Sequence, residues 1–314
     1  VSVPAEYGLD LSEENAGVMK SHGFEVVLGS RYTFENGLYL GIDGNFSYST
    51  NEMVEVFETA ATRDNPNRSR TGRAYGTPFG YKSLGLFSTS DDINNDGIIN
   101  SEDGYNVTQF GDLHPGDIRY ADVSGPEGVP DGKIDANDEV VIGNPAYPGI
   151  TYGLTTNASW KGFDASLFFQ GSAMASFDLN QSFHTLPFAN NSSNTTTEYY
   201  NNRWTPSSEN AKYPRATQSP YANNTQTSDF WMVDSKFVRL KTAQLGYTFP
   251  TSLTEALNIQ SVRFYVTGQN LFTISKLDFI DPEAGFTNQD GGDIDRETAY
   301  PNSKVVTFGF DLNF

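Results

Sequence analysis

Asp92, Asn94, Asp96, Asn100 and Asp103 place oxygen-bearing side chains at positions 1, 3, 5, 9 and 12 of a single short stretch. Gly97 falls at position 6, where a calcium loop turns sharply; Ile98 offers its carbonyl at position 7 and Ile99 an apolar anchor at position 8. Calcium takes six to eight oxygens in a flexible cage, and this spacing curls five such side chains round one point. The last ligand is Asp where Glu is usual, and its shorter reach weakens bidentate closure. The plainer alternative is an acidic, Asn-rich turn that binds nothing.

A second copy is broken. Asp122 and Ser124 supply its first and third positions; Asp131, the Lys133 carbonyl, Asp135 and Asp138 supply the rest. Gly125 to Pro130 stand where one residue would, so the insertion must loop out before the set can close, and the spacing leaves metal binding open. Both copies fall within residues 50–150, so the chemistry expected of them is structural: Ca2+ bracing a long loop. A third cluster, Asp290, Asp293 and Asp295, lacks ligand spacing and reads as solvated loop.

Catalytic signatures are missing. There is no G-x-S-x-G, no Walker loop and no G-x-G-x-x-G before a helix. His22, His114 and His184 are scattered without a base or ligand arrangement around them, and no enzyme is expected. Trp204, Tyr213 and Trp231, with Tyr199, Tyr200 and Tyr221, lie in or beside a long loop. There, aromatic faces either meet a ligand or partner or pack the loop on itself.

Elements that could carry such loops show in a period-two pattern. Val306, Phe308, Phe310, Leu312 and Phe314 alternate with Val305, Thr307, Gly309, Asp311 and Asn313. The same alternation predicts strands over 24–32, 38–49, 151–160, 163–172, 237–249 and 262–271. Connections between them alternate short and long: 33–37 short, 50–150 long, Lys161–Gly162 short, 173–236 long, 250–260 short, 272–303 long. A soluble sandwich has no reason to keep that parity, whereas an outer-membrane barrel has short turns on one side and long loops outside. Trp160, Phe163, Tyr32, Tyr247 and Phe249 sit beside the short turns, where an interfacial girdle belongs. Phe314, ending the most alternating strand, fits a C-terminal assembly signal.

Composition agrees. Hydrophobic residues make up only 37% of the 314, aromatics 14%, and Cys is absent. No apolar run approaches the ~20 residues of a membrane-spanning helix, so a membrane form must be a closed sheet. The net charge of −19 argues against a nucleic-acid partner. The opening VSVPAEYGLD has no features of a signal peptide. Seven strands are fewer than the smallest membrane barrels close with, so the chain reads as part of a longer one.

The runs Asp117–Asp122, Val141–Pro145, Trp160–Asp164 and Leu167–Gly171 resemble those of SusC/RagA-type TonB-dependent transporters. So do Asn202–Pro206, Lys212–Arg215, Ser228–Trp231, Phe237–Lys241, Leu245–Pro250 and Gly268–Phe272, all in order along the chain. The resemblance implies an all-β fold, the C-terminal part of a multi-pass barrel of about 22 strands in the bacterial outer membrane. Lipid and lipopolysaccharide would surround it. It further implies TonB-driven import of glycans or peptides with a SusD-like lipoprotein as lid, TonB being engaged by an N-terminal part outside this sequence. The competing reading is a secreted, calcium-braced adhesion or glycan-binding β-protein.

Overall fold

The computed structural model describes residues 17–179, 195–217, 222–254, 258–277, 279–283 and 301–314. Asp290, Asp293 and Asp295, His184 and Tyr221 lie outside the described residues. Two compact units emerge, one centred on residues 50–146 and 176–233, the other on 23–49, 147–175 and 234–314.

The second unit is built on an antiparallel sheet. Its strands are β1 (Val18–Thr33), β2 (Tyr39–Glu55), β7 (Ile150–Trp160), β8 (Phe163–Ala173), β11 (Phe237–Thr248), β12 (Ser261–Ser275) and β13 (Val305–Asn313), and they pair in that order. All seven strands expected from alternation are present. Most are longer than expected on the long-loop side: β2 runs on through Asn51 and Glu52, where alternation has lapsed.

Register explains why the residues alternate. Leu40, Ala158, Ala165, Leu245, Val266 and Phe308 are successive cross-strand partners, giving one apolar row across six strands. One residue along, Gly41, Asn157, Ser166, Gln244, Thr267 and Thr307 form an equally continuous row on the opposite face. A slip of one residue in any strand would exchange the two faces, so the pattern pins the register. The apolar face is exposed, with Leu245, Phe264, Phe308 and Phe310 each more than half accessible. A sheet that turns its apolar face outward and its polar face the other way has the polarity of a membrane barrel wall.

Beside the short turns the apolar face becomes aromatic. Trp160, Phe163, Tyr247, Phe264 and Phe310 are again successive partners, with Phe163 and Tyr247 rings 4.5 Å apart. The indole of Trp160 donates to the Asn36 carbonyl in the neighbouring short turn at 3.3 Å. Lys161 and Gly162 both take positive φ, 48° and 88°, as a two-residue type I′ hairpin requires. A Cβ on Gly162 would also stand 2.7 Å from the Thr248 carbonyl oxygen.

The first unit holds small sheets: β3 (Phe79–Gly80) with β6 (Val140–Val141), β4 (Ser83–Leu86) with β5 (Ile118–Tyr120), and β9 (Ser176–Asp178) with β10 (Met232–Asp234). These short pairs escape periodicity because two to four residues are too few to show it. The unit is packed: Phe87, Ile99 and Leu113 form one cluster with Tyr105 against it.

Candidate functional site

The two acidic stretches, dissimilar in length, fold to the same hydrogen-bond scheme. In the first, Asp92 accepts from the amides of Asp96 (3.1 Å) and Gly97 (2.9 Å). In the second, Asp122 accepts from Asp131 (3.3 Å) and Gly132 (2.6 Å), so the Gly125–Pro130 insertion does loop out and Asp131 re-enters at position 5. Asp96 and Asp131 each accept from the residue two further on, Ile98 and Lys133. Asn100 and Asp135 each cap a short 3-10 turn by accepting from Glu102 and Asn137.

The twelfth residues act alike. Asp103 Oδ1 accepts from the amides of Ile93 and Asn94, and Oδ2 from Asn100. Asp138 Oδ1 accepts from Val123 and Ser124, and Oδ2 from Asp135. Desolvation opposes the Asp103 carboxylate, but the amides of Asn100, Asn94 and Ile93 outweigh it and hold its pKa below the ordinary value. The Asn137 amide does the same for Asp135, against desolvation and with help from Lys133. The position-8 residues, Ile99 and Ile134, are both buried, the first accepted by the Leu113 carbonyl and the second by that of Thr108.

The donor set is entirely oxygen, the chemistry a hard cation takes. Among the described residues, no three Asp, Glu or His side chains are gathered closely enough to ligate one metal ion. Asn94, Asn100, Ser124 and the carbonyls of Ile98 and Lys133 are the further donors that a calcium shell would need. His114 is a loop residue, its amide accepted by Asp117 and its ring Nδ1 against the Gly97 carbonyl.

Of the two readings open for Trp204, Tyr213 and Trp231, ligand contact is the one their burial rules out. Trp204 is 7% exposed, and Tyr213 and Trp231 are each 1% exposed. Tyr213 stacks between Tyr199 and Trp231, at ring separations of 5.4 and 6.3 Å. Buried rings cannot stack on a sugar; these pack the loop unit on itself. Tyr213 loses so much water that its phenol is pushed up to about 12.

What sequence reasoning missed is a buried polar pin in the same unit. Asp117 is fully buried and accepts from Arg215 Nε (2.6 Å), Asn224 Nδ2 (2.8 Å) and the His114 amide (2.9 Å). Beside it, Gly116 has φ +88°, and a Cβ there would lie 2.5 Å from the Trp204 ring. Asn223 and Gln109 complete the pin by bonding the Ile118 carbonyl, while Tyr120 Oη donates to the Asn223 carbonyl. The signal was present as two separate motifs, Asp117–Asp122 and Lys212–Arg215, but nothing in the sequence joins them.

An antiparallel sheet with one lipid-type face and one polar face, joined by short turns at one end and long connections at the other, defines the class: an outer-membrane-type barrel wall. No protein-family model matches the chain. It is 28% identical over 327 aligned residues to TonB-dependent receptor P3 of Formosa agariphila, covering 99% of this chain and 30% of that protein. It is 29% identical to TonB-dependent receptor SusC of Bacteroides thetaiotaomicron over 58% of this chain and 17% of that one. Among solved structures, the RagAB peptide transporter matches all of the chain over 31% of its own, with a TM-score of 0.66 and 21% identity. The chain is therefore similar throughout to TonB-dependent receptors, over part of its length to SusC, and in fold to the RagAB transporter, and it spans about 30% of the length of the curated relatives that it matches end to end.

Proposed function

We propose that this chain forms part of the wall and outer loops of a bacterial outer-membrane receptor that imports a nutrient, an oligosaccharide or a peptide, by TonB coupling. The observation that carries the reading is the pair of adjacent cross-strand rows, one apolar from Leu40 to Phe308, one polar from Gly41 to Thr307. A soluble β-protein would bury the first row; this sheet exposes it. Short turns then face the periplasm and the long connections leave on the outer side, where a SusD-like lipoprotein would cap the mouth. In this reading Ca2+ at Asp92, Asn94, Asp96, Ile98, Asn100 and Asp103, and at the matching Asp122–Asp138 set, braces the loop unit. Support comes from the shared hydrogen-bond scheme and the all-oxygen donor set.

The test is uptake by the parent bacterium of labelled oligosaccharide and peptide pools, with and without the gene for the whole receptor. Uptake of one pool should vanish in the deletion strain and on collapsing the proton gradient. Undiminished uptake of every pool in the deletion strain refutes an import role. A receptor that purifies from outer membranes without any lipoprotein refutes the partner.

A further inference from the structure

We infer that Asp281–Glu283 is a strap latched to the polar face of the sheet by Arg239, and that this latch walls off a cavity beside Gln170 and Phe237. Arg239 is the cross-strand partner of Gln170 on one side and Thr273 on the other, which places it on the polar face. Its side chain is only 4% exposed, and that of Asp281 only 6%. The guanidinium is spent on three partners: Nε donates to Thr273 Oγ1 (2.8 Å), one terminal nitrogen to Glu283 Oε2 (2.8 Å), and the other to Asp281 Oδ1. Lys241, at the register shift between Leu240 and Thr242, donates to both oxygens of Glu283 at 2.9 and 3.0 Å.

The cluster is balanced, two cations against two carboxylates, and each depends on the others. An arginine cannot shed its charge when buried, so removing the carboxylates leaves an unpaired cation in a poorly solvated place. Asp281 does more. Its Oδ1 also accepts from the Glu283 amide and its Oδ2 from the Asn302 amide, each at 2.9 Å, so both ends of the β12–β13 connection meet at one carboxylate. Leu277 and Ile280 are buried on the same segment. Held this way, Pro282 and Glu283 form one wall of a cavity of about 310 Å³ whose other walls include Asn45, Tyr152, Gln170 and Phe237. Sheet residues supply most of that wall, but only the latch brings the strap to it. Arg239 is thus a positioning residue, acting through the strap on access to the cavity.

The experiment uses the whole receptor in outer membranes with one cysteine introduced, Gln170→Cys; this chain has no native cysteine. Labelling by a small thiol reagent is compared between the native strap and the Asp281→Asn, Glu283→Gln double variant. The rate should rise at least tenfold when the strap is unlatched, while Asn157→Cys, elsewhere on the polar face, should change less than twofold. Arg239→Lys is the second variant: it keeps a cation but loses the planar fork whose three nitrogens meet Thr273, Glu283 and Asp281 separately, so labelling of Gln170→Cys should rise at least threefold. Unchanged labelling of Gln170→Cys in either variant overturns the latch, as does an equal rise at Asn157→Cys.

Discussion

Arginine placed at Leu167 or at Ser166 should have opposite consequences although the two are neighbours on β8. Leu167 lies on the apolar face, two residues along from Ala165 and paired with Thr156 and Ala243, whereas Ser166 lies in the polar row between Asn157 and Gln244. Leu167 is four residues from Phe163, a member of the aromatic row. At about 3.4 Å per residue and a tilt near 40°, that places Leu167 roughly 10 Å above the girdle, close to the middle of a ~25 Å apolar band. A charge there costs about 2–4 kcal/mol, which is about a 30- to 1,000-fold loss in the folded ratio. Ser166→Arg faces water or polar side chains and should cost less than about 1 kcal/mol. The assay is equilibrium unfolding of the receptor from phospholipid vesicles in guanidinium, followed by heat-modifiable gel mobility. A cost for Ser166→Arg equal to or above that for Leu167→Arg would refute the assignment of faces.

Removing calcium with a chelator should increase protease cleavage within residues 90–140; unchanged cleavage there would remove the metal from the account. Gly116→Ala sets a side chain at positive φ and within 2.5 Å of the Trp204 ring. It should destabilise the loop unit by about 1–3 kcal/mol, read as earlier proteolysis between residues 113 and 231. Asp117→Ala leaves Arg215 without its carboxylate and Asn224 without an acceptor. A loss of about 3–5 kcal/mol is expected, visible as a lower-temperature transition of the loop unit by scanning calorimetry, and a wild-type transition would discount the pin. Burial alone would raise the pKa of Asp281, but Arg239 and the amides of Glu283 and Asn302 outweigh it and hold the pKa low. A depressed folded pKa adds stability above the unfolded value, about 4, and that stability is lost as pH falls through the folded value. Hydrogen exchange of the Glu283 and Asn302 amides, corrected for intrinsic rate, should therefore accelerate only below about pH 4.

The strands were legible because each face of the sheet meets one kind of surroundings along its length, which writes period two into residues such as 305–313. The aromatic row was legible in part: Trp160, Phe163 and Tyr247 could be placed beside short turns, whereas Phe264 and Phe310 join them only through register. The turn geometry of the acidic stretches was legible because their hydrogen bonds are local; even the insertion after Ser124 folds out as its flanking spacing requires. Long-range polar pins were not. Asp117 and Arg215 lie 98 residues apart, and Arg239 and Asp281 lie 42 apart, and nothing periodic links such pairs. The same blindness left Trp204, Tyr213 and Trp231 between two readings, since a loop position says nothing of burial when the loop is itself a packed unit. Several family-like motifs prove to be halves of these pins: the Arg of Lys212–Arg215 meets the Asp that opens Asp117–Asp122.

The central claim is that the row containing Phe308 faces lipid and the row containing Thr307 does not. Its most direct test is a nitroxide scan, one position at a time, along residues 262–271 of β12 in the receptor reconstituted in bilayers. Oxygen, which concentrates in lipid, should relax labels at Phe264 and Val266 strongly and those at Tyr265 and Thr267 weakly, with a water-soluble nickel collider showing no access to the first pair. Equal access of the nickel reagent to both sets of positions would contradict a membrane wall and return the sheet to a soluble β-protein.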